Sequence, residues 1–146
     1  MGYIKNIFAF LAIAFVLNIL SSSIESSFFS SFLNENVIII LVTLLAINTA
    51  TSGLIISKLH ELSEKNGADF NNSYNSLKNS LKEQIIIIIV CSFSLILRNS
   101  KLLEAHLPFH YLIFDTIIFA TFIYSLDILY DTGKAIFLIV NSIRKN

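Results

Sequence analysis

Apolar residues in this chain gather into four long blocks separated by polar stretches, instead of recurring as the narrow stripe of a soluble helix. The clearest block, Val37 to Ser57, has no charged residue in 21 positions, the length a helix needs to cross the hydrocarbon core of a bilayer. An earlier block runs from about Tyr3 to Leu20, with Asn6 and Asn18 inside it. The third is short, 13 residues from Ile85 to Leu97, and crosses only by borrowing Leu81 to Gln84 while Arg98 and Lys101 snorkel at its other end. The last starts near Pro108, favoured in a first helical turn, and continues as one helix to about Val140. At about 1.5 Å per residue it outruns the membrane.

The isoleucine run Ile85–Ile89 would favour a strand in water. In lipid an open strand leaves its edge amides unpaired, and the alternating segments of a closed barrel are missing. The predicted fold is therefore an all-α integral membrane four-helix bundle. Its expected spans are 3–20, 37–57, 81–98 and 109–130, with a cytoplasmic hairpin at 58–83 and a helical extension at 131–146.

Two intervening segments carry their own patterns. Ile55, Leu59 and Leu62 continue a helical stripe out of span two, while Phe70, Tyr74, Leu77 and Leu81 form another running into span three. Asn66-Gly67 between them reads as a helix C-cap or turn. Spans two and three thus extend beyond the bilayer as a packed hairpin. Ser22 and Glu25 stand at capping-box spacing, with Phe28, Phe29, Phe32 and Leu33 on one side, which predicts a short helix over Ser21 to Leu33 lying in the headgroup layer.

Composition agrees with this reading: 55% of the 146 residues are hydrophobic and 14% charged, and mean hydropathy is +0.74. Soluble domains carry about 25% charged residues. Ten basic residues balance ten acidic ones, so no overall field attracts nucleic acid. Distribution is more telling than the sum. Lys5, Lys58, Lys65, Lys78, Lys82, Lys134, Arg144 and Lys145 fall on one side of a four-crossing chain, and only Arg98 and Lys101 on the other. By the positive-inside rule both termini are expected in the cytoplasm. The first block resembles a secretory signal, but Ser-Ser-Ser-Ile-Glu after Leu20 offers no small-residue cleavage site, so an uncleaved span is expected.

Polar residues inside the spans are the candidates for function. Asn48 stands near the bilayer centre, in a band with Thr43, Thr49, Thr51, Ser52, Gly53 and Ser57. A buried amide calls for a hydrogen-bonding partner, and the four-residue repeats Ala46/Ala50 and Thr49/Gly53/Ser57 let helices approach closely, through packing within the chain or between copies. A pore lining is the alternative. Asp115 and Asp127 lie about one turn inside each end of span four, and a carboxylate there is costly unless paired or hydrated. One reading is an ion, proton or regulatory site. The other pairs Asp115 with Arg98 or Lys101, and sets Asp127, Asp131 and Lys134, which share a face, beyond the membrane.

His106 and His110, with Glu104, have a nominal metal-ligand spacing, but Pro108 interrupts the helix that would align them, so no metal site is expected. Cys91 stands alone in an apolar run, and His60 beside Glu61 reads as a solvated interfacial residue. No serine sits in a nucleophile elbow and no glycine-rich phosphate loop exists. The sequence points to no enzyme and no cofactor.

The second span and its exit, LLAINTATSGLIISKLHEL, followed by a polar hairpin ending SLKNSLKEQ and a third span, resemble the small four-span membrane proteins of bacterial and phage defence loci. The KwaA family, membrane subunits of the Kiwa antiphage system, is the one named on that likeness. The resemblance covers most of the chain as architecture. It implies a homo-oligomer in the bacterial inner membrane that senses a membrane disturbance and signals to a cytosolic partner. Lys65, Phe70, Tyr74, Lys78 and Lys82 of the hairpin are the candidate partner-binding residues, and membrane lipid is the constant neighbour. An immunity protein against a pore-forming bacteriocin, or a small channel that depolarises the cell, are the alternatives.

Overall fold

The computed structural model of the protein describes residues 2–67 and 69–144. Lys145 and Asn146, the end of the expected extension, lie outside the described residues. Five helices and no strand are found among those described: α1 (Gly2–Ser23), α2 (Phe28–Asn66), α3 (Asn71–Arg98), α4 (Lys101–His106) and α5 (His110–Arg144). All but α4 are long and apolar enough to cross a membrane. The short isoleucine run is thus embedded in a 28-residue helix. Lipid selects this solution because a helix satisfies its own backbone.

Helix α5 is the centre of the bundle and packs against α1, α2 and α3, while α2 also packs against α3. Nearly half of the apolar stretch of α5 is buried (44%), against 11% of that of α1. The main core joins Ala14, Leu33, Leu41, Ile87, Ile118 and Phe119. Phe119 meets Phe29 edge-on, with ring centroids 4.8 Å apart. Helix α1 is the outlying member, touching the core through the small side chain of Ala14 and through Asn18.

The segment expected to lie flat in the headgroups does not. Helix α2 already starts at Phe28, and Phe29 and Leu33 turn into the bundle while Ser30 and Asn34 bind α5. Nor do Ser22 and Glu25 form a capping box. They end α1 instead, with the Ser26 amide donating to the Ser21 carbonyl (3.0 Å) and the Glu25 amide to that of Ser22 (3.1 Å). This is a Schellman closure with Glu25 in the left-handed position at φ 53°. Glycine usually occupies that position because a Cβ there costs about 1–2 kcal/mol. Glu25→Gly is accordingly expected to stabilise the protein by about 1 kcal/mol, read as a rise in the midpoint of thermal unfolding in detergent. An unchanged or lower midpoint would show that the turn is not strained.

The turn between α2 and α3 follows the sequence reading more closely. Gly67 takes φ 64° and caps α2, its amide donating to the Ser63 carbonyl at 2.8 Å. At about 1.5 Å per residue the 39 residues of α2 span about 58 Å, well beyond an apolar core of about 30 Å. A second apolar cluster occupies the surplus length. Ile55, Leu59 and Leu77 are buried there, with Ile56, Phe70, Ala135 and Ile136 packed around them. The projecting structure is therefore three helices, because the end of α5 joins the hairpin.

Candidate functional site

Two polar levels are built into the bundle, separated by an apolar layer. Far from the hairpin, Asp115 of α5 is buried and receives Arg98 of α3 through Nε to Oδ1 at 2.5 Å and Nη2 to Oδ2 at 3.4 Å. Ser30 and Asn34 of α2 also donate to this carboxylate, at 3.0 and 3.4 Å. Two helices thus close on one anionic side chain of a third. The Arg98 guanidinium sits 5.2 Å from the Tyr111 ring centroid. Arg98 does not snorkel to the water as expected; it folds back because a buried carboxylate is within reach. One turn away, Asn18 of α1 donates to the Leu112 carbonyl and to the Thr116 hydroxyl, each at 3.1 Å.

Nearer the hairpin, Asn48 of α2 is fully buried and its Nδ2 donates to Gln84 Oε1 of α3 at 2.8 Å and to Ser80 Oγ at 3.4 Å. Gln84 is buried too, and sequence reading did not single it out, since it stood as a polar flank of a short span. It stands at the edge of the apolar run, just before Ile85, and only the register of α3 against Asn48 of α2 brings it into the interior. Between the two levels Leu41, Ile87, Cys91, Ile118 and Phe119 fill the interior.

Asp127 lies apart from both pairs, half-buried in a cleft of about 230 Å³. Asn6, Ser80, Glu83, Asp131 and Thr132 share its walls. The Tyr124 hydroxyl donates to Glu83 at 3.0 Å, joining α5 to α3 at its rim, and the Tyr124 ring stacks on Phe10 of α1. Asp131 and Lys134, set at pairing distance by their spacing, form no ion pair among the described residues.

The candidate partner residues divide. Lys65, Lys78 and Lys82 are exposed and unpaired among the described residues, whereas Lys58 pairs with Glu61 at 2.7 Å. Phe70 packs inward on the second cluster, and Tyr74 lines a surface groove with Ile56, Leu77, Lys78 and Leu81. His110 is buried at the start of α5 with Nδ1 2.9 Å from the Leu107 carbonyl, while His106 is exposed on α4. Thr49, Gly53 and Ser57 face outward, and a Cβ added at Gly53 would meet nothing within 4 Å. That stripe is unused within one chain.

No protein-family model, curated protein or solved structure matches this chain. What its own fold defines is a multi-pass α-helical membrane bundle, clamped at one end by a partly buried ion pair and extended at the other by packed helices.

Proposed function

We propose that this is a non-enzymatic protein of the bacterial inner membrane, with both termini in the cytoplasm, that relays a disturbance of the bilayer to a cytosolic partner. Antiphage defence is the setting that its resemblance to the Kiwa membrane subunits implies. The observation that carries the relay reading is continuity: α2, α3 and α5 run without interruption from the Arg98–Asp115 clamp to the cluster around Leu59 and Leu77. Such rods transmit a tilt or rotation imposed by the bilayer to their projecting ends, since packed helices move as units. Exposed Lys65, Lys78 and Lys82 stand among exposed Glu61, Glu64 and Asp69, which gives those ends a mixed-charge surface for a partner of complementary pattern. The outward stripe of Thr49, Gly53 and Ser57 supports a homo-oligomer.

The test is phage protection in a bacterium carrying the gene with its native neighbours. Charge reversal of Lys65, Lys78 and Lys82 together is expected to abolish protection while membrane level and detergent-extracted size stay unchanged. Protection equal to that of the unsubstituted protein would argue against this surface as the output. A channel is the second reading, favoured by the polar pair at Asn48 and Gln84; ion flux in liposomes that Asn48→Leu removes would select it.

A further inference from the structure

The interior of the hairpin-proximal half holds polar atoms that the protein leaves without partners. Asn48 Oδ1, Gln84 Nε2, Ser52 Oγ and Ser125 Oγ are buried and make no hydrogen bond. Their residues are no more than 1% exposed. Leaving such a group unpaired is costly, the more so where no water can reach it.

The register of the helices puts these groups at one depth of the bundle. The antiparallel register that pairs Asn48 with Gln84 sets Ser52 opposite Ser80, one turn nearer the hairpin, and Ile55 opposite Leu77 below that. Ser125 follows Tyr124, whose hydroxyl reaches Glu83 beside Gln84, so α5 brings its serine to the same depth. Ser80 connects the group to the cleft, because it lines that opening and also accepts from Asn48. Beyond Gln84 the path ends against Ile87, Cys91 and Phe119.

We propose that Asn48, Ser52, Gln84 and Ser125 form a binding site for ordered water inside the membrane, filled from the cleft. The chemistry of the unmet atoms selects water over a cation. One is an amide N–H, one a carbonyl oxygen and two are hydroxyls of either role. Exchanging the oxygen and nitrogen of both amides leaves one donor and one acceptor unmet again, so the choice does not depend on that assignment. A cation would satisfy the oxygens and confront the amide hydrogens. Water serves both, and two to four polar partners are what a buried molecule needs. The result is an inward-facing wet half-path, closed by the apolar layer below the Arg98–Asp115 clamp.

This inference does not rest on the relay reading, and silver ions, about the size of water and reactive with thiolates, test it. Ser52→Cys and Ser125→Cys are made in a Cys91→Ala background, treated with silver in membranes, then denatured and titrated with a maleimide. A wet site ionises the thiol, so both should be blocked about tenfold faster than Leu54→Cys, which faces lipid, or than native Cys91 in the apolar layer. Rates equal to those two references overturn the proposal. Slowing by millimolar sodium or potassium would make an ion the occupant, and overturns it as well. The unsubstituted protein gives a second measurement: in water-edited solid-state NMR, magnetisation should reach the Asn48 and Gln84 side-chain amides as quickly as Ser80. Build-up as slow as at Cys91 refutes the site.

Discussion

Replacing Asp115 with leucine is expected to cost about 3–5 kcal/mol, the penalty for leaving one member of a buried pair without its partner. Arg98 has a side chain only 20% exposed and loses both of its hydrogen bonds to the carboxylate, and Ser30 and Asn34 lose the same acceptor. Unlike a lysine, the guanidinium has no accessible neutral form to retreat to. Unfolding in detergent titrated with a denaturing surfactant reads the loss. The double variant Arg98→Leu/Asp115→Leu is expected to recover most of it, since an apolar pair of similar volume is often neutral or better. A single-variant cost below about 1 kcal/mol would class the pair with exposed ion pairs, and would mean that Arg98 is hydrated in the protein.

The same clamp shows where sequence reading succeeds. Pairing of Asp115 with Arg98 or Lys101 was one of two readings, because a lone carboxylate is costly in hydrocarbon and both cations follow span three at that end; the structure selects Arg98. The number of spanning helices was legible for a related reason: the bilayer forbids most alternatives, so 21 uncharged positions decide a crossing without tertiary information. Helix ends were less legible. Phe28 to Leu33 reads as an interfacial helix until the bundle is assembled: Asp115 then binds Ser30 and Asn34, the core takes up Phe29 and Leu33, and the segment becomes the start of α2. Glu25 gives no warning of its φ of 53°, because the Schellman hydrogen bonds and not the residue's own preference hold it there.

The hairpin-proximal polar level was half visible. Asn48 called for a partner, but many residues of the other helices could supply one, and Gln84 emerges only from the α2–α3 register. Ser125 is less visible still, a single hydroxyl in a long apolar helix whose depth depends on Tyr124 reaching Glu83. The joining of α5 to the hairpin was missed for a similar reason. Ala135 and Ile136 gain meaning only once Leu59 and Leu77 are there to meet them.

That three-helix cluster sets the second large effect. Leu77→Asp removes a buried leucine, a loss of about 2–5 kcal/mol by itself, and puts a carboxylate among Ile55, Leu59 and Phe70. The damage is expected to stay local, because this cluster is separate from the membrane core around Phe119. The projecting ends of α2, α3 and α5 should part while the spans remain assembled. Limited proteolysis between residues 58 and 83 is then expected to accelerate at least about tenfold, following the cost of local opening. Extraction and sedimentation of the membrane part should match the unsubstituted protein. On the proposed relay, phage protection should fail together with the cleavage change, since rods that no longer touch each other carry no rotation across the interface. Leu77→Met, which keeps the volume, should preserve both. Slow cleavage in Leu77→Asp would mean that the projection is held by something other than its apolar seam, and the relay through α2, α3 and α5 would lose its physical basis.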